Sequence, residues 1–270
     1  MFAKGLALLA GKTNLNDTVH ELLSAKGRTG IKINTIGGRN ISTNPGTTFA
    51  LTKILAQHGI HENSLIIWDR TNRELREAGY KLNMSEKGLN VFGTDTQSIG
   101  YASSLIAHRN IGSRFSTIQT DLITQSISLA ILKDHGLAGI TAGMKNYFGA
   151  IHNPNKYHDD RCNPFVADLF DSDPIKKKHR ISILDALTVQ YHRGPSFHTE
   201  WAEKYGALIF SRDPVAADCA GWRIIEELRA VKGLPTLKED NREPNYLYTA
   251  EQLGLGTANW DEIQIIETEV

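Results

Sequence analysis

Short apolar runs broken by polar turns set the rhythm of the chain. In Gly30–Asn34 the apolar residues alternate, which predicts a strand with Ile31 and Ile33 on one face and Lys32 and Asn34 on the other. Ser64–Asp69, Ile127–Leu132, Ile181–Ala186 and Ala207–Ser211 read as further strands, and Val91-Phe92 as a short one. Helical spacing appears in Leu15–Ala25, with Asn14 or Asn16 as cap and Gly27 as stop. It returns after Thr43-Asn44-Pro45, with Ala50, Leu51, Ile54 and Leu55 as the buried stripe and Gly59 as stop. Thr71 opens a short helix closed by Gly79, and Asp213-Pro214 opens one that runs to about Val231. Thr249–Leu253 predicts a small helix and Ile263–Ile266 a last strand, while Tyr101–His108 fits either. Strands alternating with helices predict right-handed βαβ units. The expected class is α/β: a mainly parallel sheet with flanking helices, Rossmann-like.

No GxGxxG or GxxxxGK[ST] follows a predicted strand, so dinucleotide-fingerprint and P-loop chemistry are set aside. At 270 residues the chain is expected to form a single domain over 1–270, with two lobes, about 1–120 and 121–270, as the alternative. Lys+Arg and Asp+Glu both total 30, so no net basic field draws nucleic acid. No apolar run approaches a membrane span, and MFAKGLALLAG lacks the signal-peptide pattern; a soluble, cytoplasmic chain is expected. Cys162 and Cys219 form no CxxC, which leaves no zinc knuckle or iron–sulfur motif. Whether they pair stays open; Cys219 lies within a predicted helix and suits a core position.

Candidate chemistry gathers in Ser126–Gly149. A strand ends there in Lys133-Asp134-His135, and Gly136, Gly139, Gly143, Lys145, Asn146 and Gly149 follow. Open α/β sheets collect ligands at the carboxyl ends of their strands, and a glycine-rich backbone can cradle an anion with its N–H groups. His135 and Lys145 are ten positions apart. A regular helix would separate them by about 15 Å, so the segment is expected to fold back and return Lys145 toward His135. The competing expectation is a helix from Leu137, with Leu137, Ile140 and Met144 facing the core and Lys145 in solvent. Lys32, just before Gly37-Gly38-Arg39, marks a second ligand edge. His152 and His158, followed by Asp159 and Asp160, are candidate metal donors, though their spacing matches no stringent zinc pattern. Asp218 sits on an apolar helix flank and needs a partner, which places it in the site or in its support. His108-Arg109 and Pro174–Arg180 are expected at the surface, the latter guarding a sheet edge.

The resulting expectation is a pocket for a small anionic ligand or phosphate-bearing cofactor. His135, Lys145 and Lys133 are the catalytic candidates. Lys32, Asn34, Gly139, Gly143, Asn146 and Asp218 are the candidates for holding the cofactor, and His135 and His158 are the candidate metal ligands. Asp185 or Asp218 would orient the histidines. Two alternatives stand beside it: a non-catalytic module that holds a metal or cofactor for a redox system, and a scaffold without chemistry.

Taken together, Lys32-Ile33-Asn34, Trp68-Asp69-Arg70, Ala78-Gly79-Tyr80, Lys133-Asp134-His135, Lys145–Gly149, Ile183–Ala186, Gly194-Pro195 and Asp213–Asp218 resemble the DUF362 family of uncharacterised proteins. Members often carry a ferredoxin-like domain or a twin-arginine export signal. The resemblance therefore implies a ferredoxin-like or other redox partner, and export if such a signal preceded Met1. More faintly, His135, the Gly136–Gly143 turn, Lys145 and His158 are similar in order to the lactate racemase family, which uses a nickel-pincer nucleotide. That likeness implies a covalent hold on the cofactor by Lys145, a histidine on nickel, and histidines that move a substrate proton; for the pocket itself the ion stays open between nickel, iron and zinc.

Overall fold

The structure is a computed structural model that describes residues 1–85 and 87–269. The first half contains α1 (Phe2–Ala10), α2 (Leu15–Leu22), β1 (Thr29–Ile33), α3 (Pro45–Gln57), β2 (Leu65–Asp69), α4 (Asn72–Glu77) and β3 (Asn90–Gly93). A small hairpin of β4 (Ile106–His108) and β5 (Ile111–Ser113) leads into β6 (Gln125–His135) and β7 (Gly139–Thr141). Then come α5 (Phe165–Asp171), α6 (Asp173–Lys176), β8 (His179–Gln190), β9 (Ala202–Ser211), α7 (Pro214–Val231) and α8 (Tyr246–Gln252).

Among the described residues the main sheet has seven strands in the order β3-β2-β1-β6-β8-β9, with β7 paired to β6. The pairs β1–β2, β1–β6, β2–β3 and β6–β8 are parallel; β6–β7 and β8–β9 are antiparallel. The sheet is therefore mostly parallel and covered on both faces. Strand alternation sends Ile31, Ile33, Ile127, Leu129, Ile181 and Ile183 toward α1, α2 and α3. Ala130, Leu132 and Leu184 face the opposite way, onto α5, α7 and α8.

Local chemistry explains the helix starts. Asn14, Asn44, Thr71 and Asp213 each turn a side-chain oxygen onto backbone N–H groups of the first turn, and Pro45 and Pro214 fill positions that need no N–H. Other expectations are corrected. The helix predicted over Leu15–Ala25 stops at Leu22, because Leu23 is already extended. Ile263–Ile266 is no strand: its apolar residues find no partner edge, and Ile265 and Ile266 stay exposed. The Pro174–Arg180 run guards no edge. It leads into β8, an interior strand, and Lys178 Nζ donates to the carbonyls of Gln119, Thr120 and Ile123. His108 and Arg109 both hold the buried Asp171 carboxylate, at 2.8 Å each.

Candidate functional site: a cavity at the sheet's switch point

Strand order reverses at β1. The chain runs outward through β2 and β3 on one side and resumes with β6 and β8 on the other. The crevice at the carboxyl ends of β1 and β6 is where such sheets bind ligands. Here β6 outruns β1: their register ends at Ile33–Leu129, and β6 continues to His135. The vacated side of β6 is taken by β7, which folds back antiparallel over Lys133–His135. A 3-10 helix, Lys145–Ala150, follows and packs on β1 and β6, with Asn146 on Lys32 and Ser128 and Tyr147 on Ser126. The chain thus returns Lys145 to His135 by a hairpin. The competing helix from Leu137 does not form; Leu137 is half exposed and Lys145 is buried.

The cavity so formed has a volume of about 340 Å³. Lys32, Asn34, His135, Lys145, Asn146 and His158 line it, joined by Arg70, Glu74, Phe148 and Gly149. Its floor is a closed polar network. The Lys32 ammonium has three N–H groups and three acceptors: Ile33 O at 2.6 Å, Asp69 Oδ1 at 2.7 Å and Asn146 Oδ1 at 3.0 Å. Asp69 also accepts from Thr35 N and Oγ1 and from Arg70 N. Asn146 donates to Lys32 O and to Ser128 Oγ. The sheet makes room for this layer because Ser128 and Ser182 stand beside Lys32 in register, on the face the 3-10 helix covers. Gly149 is required there, since a Cβ would sit 2.8 Å from Lys32 Nζ and 2.9 Å from Asp69 Oδ1.

The opposite wall is chemically open. Lys145 is only 7% exposed, yet its Nζ contacts just His158 Nε2, at 3.3 Å, and the Phe148 ring, 4.6 Å to the centroid. No carboxylate among the described residues lies within ion-pair distance of it. Burial lowers its pKa to about 8, opposed only by the Cys162 thiol. The two imidazoles stack at 5.7 Å, and backbone groups assign their tautomers. His135 Nδ1 accepts from Leu137 N and Ala138 N, so the neutral ring carries its proton on Nε2. His158 Nδ1 donates to Pro154 O, so its Nε2 lone pair faces the Lys145 amine. Burial, then the positive charge of Lys145, pushes the His135 pKa down to about 2 and that of His158 down as well. Both rings are neutral near pH 7.

These donors fit a metal poorly. To ligate through Nε2, His135 would have to move its proton to Nδ1, against two backbone N–H groups. Among the described residues no group of three or more His, Cys, Asp or Glu side chains stands close enough to hold an ion. The expected assignment of a metal to His135 and His158 finds no support in this donor set, and the chemistry below is derived without one.

Six candidates lie away from the cavity lining. Lys133 is fully buried with its Nζ on Ile36 O, at 2.5 Å, and Ile41 O, at 3.0 Å; burial lowers its pKa to about 7. Gly139 packs its backbone against Arg242, with φ +78 and no room for a Cβ. Asp218 accepts from Gly143 N at 2.8 Å and Met144 N at 3.1 Å. The expected anion cradle of the glycine-rich turn is therefore filled by the protein's own carboxylate, whose pKa burial raises to about 7. Asp185 does not reach the histidines; it accepts from Leu187 N and, at 3.5 Å, from Asn44 N at the start of α3. His152 packs edge-on against Tyr101. Cys162 and Cys219 are both free and buried. The cavity residues that sequence reasoning missed are Phe148, Glu74 and Arg70. The last stands just past a predicted strand end, which was the available signal.

No curated protein matches the chain. Among solved structures, a protein from Thermotoga maritima is similar at 10% identity and a TM-score of 0.47, over 82% of this chain and 57% of that one. The lactate racemase apoprotein from Thermoanaerobacterium thermosaccharolyticum is similar at 13% identity and a TM-score of 0.46, over 83% of this chain and 54% of that one. The chain thus spans little more than half the length of either structure. The family model for DUF362, a domain of unknown function, matches residues 30–223, most of the chain and every strand of the main sheet except the first residue of β1. The chain belongs to the DUF362 family.

Proposed function

We propose that the cavity binds a small carboxylate-bearing ligand and that Lys145 and His158 handle a proton on it. One observation carries this: a buried lysine lines the cavity with no carboxylate among the described residues within ion-pair distance of it, beside a lysine whose partners are complete. An unpaired buried ammonium is costly, so the site favours either a neutral amine or an ammonium facing an incoming anion. The His135 Nε2–H is a second donor into the same space. His158 Nε2 can accept a proton from Lys145, with its Nδ1–H anchored on Pro154 O. Ile36, Leu137 and Pro195 add apolar surface to the cavity lining.

Calorimetric titration with oxalate, pyruvate and inorganic phosphate tests this. Binding of at least one carboxylate, lost in Lys145→Met with the fold retained, is the expected result. Equal binding by that variant, or no binding by the native chain, contradicts it.

A further inference from the structure

We infer that Lys145 condenses with the carbonyl carbon of a small 2-oxo acid, forming a Schiff base inside this cavity. The inference rests on the anion site proposed above and goes further by naming the ligand class and the bond.

A site that needed only fixed positive charge would be served by a lysine whose protons are all placed, as those of Lys32 are. Lys145 is placed differently. Its amine lies over the Phe148 ring, and its one hydrogen-bond partner among the described residues is an imidazole nitrogen that offers a lone pair, not a charge. That is the surrounding in which a lysine keeps a nucleophilic electron pair. The amine adds to the carbonyl carbon, forming the C–N bond as the C=O π pair moves to oxygen. The alkoxide takes one proton from the nitrogen to become the carbinolamine hydroxyl, and His158 Nε2, holding the proton it took when the Lys145 ammonium became the attacking amine, gives that proton to the hydroxyl. Water leaves with that proton, and the nitrogen lone pair closes the C=N bond as an iminium. Carbonyl and ammonium give iminium and water, so no oxidant or reductant is needed.

The iminium is cationic, and among the described residues no carboxylate lies within ion-pair distance of the Lys145 nitrogen. A 2-oxo acid brings its own counter-ion on the adjacent carbon. The His135 Nε2–H and the Arg70 guanidinium line the same cavity and are the groups suited to hold that carboxylate. A simple ketone would leave the cation unpaired. The volume, about 340 Å³, has room for a short-chain acid.

The test is reductive trapping of the intact chain with pyruvate and sodium borohydride, read by intact mass and peptide mapping. The expected product is one reduced pyruvyl group on Lys145, absent in Lys145→Met, with Lys32 and Lys133 unmodified. Acetone should be trapped slower by about tenfold or more, the worth of a charge-assisted hydrogen bond. His158→Phe should slow trapping while leaving pyruvate affinity in place. Pyruvate binding by calorimetry without an adduct on Lys145 would overturn the Schiff base and leave the anion site standing. Absence of binding by both pyruvate and oxalate would overturn both. Modification spread over surface lysines, or equal trapping of acetone, would also overturn the inference.

Discussion

Lys32 and Lys145 line the same cavity and are both buried, but they end in different company. Lys32 rises from the middle of a parallel sheet and gives each of its three protons to a fixed oxygen, one of them on Asp69. Lys145 comes from a 3-10 helix laid across β1 and β6 and meets an aromatic face and one imidazole nitrogen. The first arrangement joins β1, β2 and the 3-10 helix. The second leaves a cation or an amine waiting. Burial is common to both lysines, so burial alone does not separate architecture from chemistry; the completeness of the partners does.

The largest expected effect falls on the saturated side. Lys32→Met strands Asp69 and should cost about 3–5 kcal/mol in urea unfolding, as broken buried ion pairs do. Lys145→Met should keep stability within about 1 kcal/mol, because it removes an unpaired group rather than a pair. Similar losses from both would erase the distinction. Next in size is Gly149→Ala, whose Cβ would press on Lys32 and Asp69; overpacking of this kind costs about 1–3 kcal/mol. Ser128→Ala follows: it removes a bond to Gly143 O and one from Asn146, worth about 1 kcal/mol each.

Two pH profiles sharpen the contrast. The folded Lys145 titrates near 8, below its unfolded value of about 10.4, so the unfolded chain binds more protons between those values. Stability should rise as pH climbs through that window, and Lys145→Met should lose that share of the rise. Asp218 runs the other way. Its folded pKa of about 7 lies above the unfolded value of about 3.9, so its contribution falls as pH rises between them. Asp218→Asn should flatten that decline in denaturant midpoints measured across acid to neutral pH.

Much of the fold was legible because local signals and the sheet agreed. Asn44-Pro45 and Asp213-Pro214 announced helices that formed where they pointed. The two strands around Lys32 and His135 were visible as apolar runs, and the fold-back of Lys145 followed from the reach of ten residues. What stayed hidden depends on distant pairing. Gly143 looked like an anion cradle because nothing local reveals that Asp218, 75 residues on, already fills it. Lys133 looked equivalent to Lys145, since the carbonyls of Ile36 and Ile41 that hold it belong to a loop far away in sequence. Metal donors were inferred from histidine identity, but the tautomers are set by backbone groups that a sequence does not place.

The central claim is that Lys145 awaits a carboxylate. Proton linkage tests it most directly. Oxalate is titrated calorimetrically at about pH 9, in buffers of different ionisation enthalpy, where the free amine is mostly neutral and binding should restore its charge. The account predicts uptake of about one proton per oxalate by the native chain and loss of that uptake in Lys145→Met. Binding with no proton uptake, or the same uptake in both proteins, would contradict it.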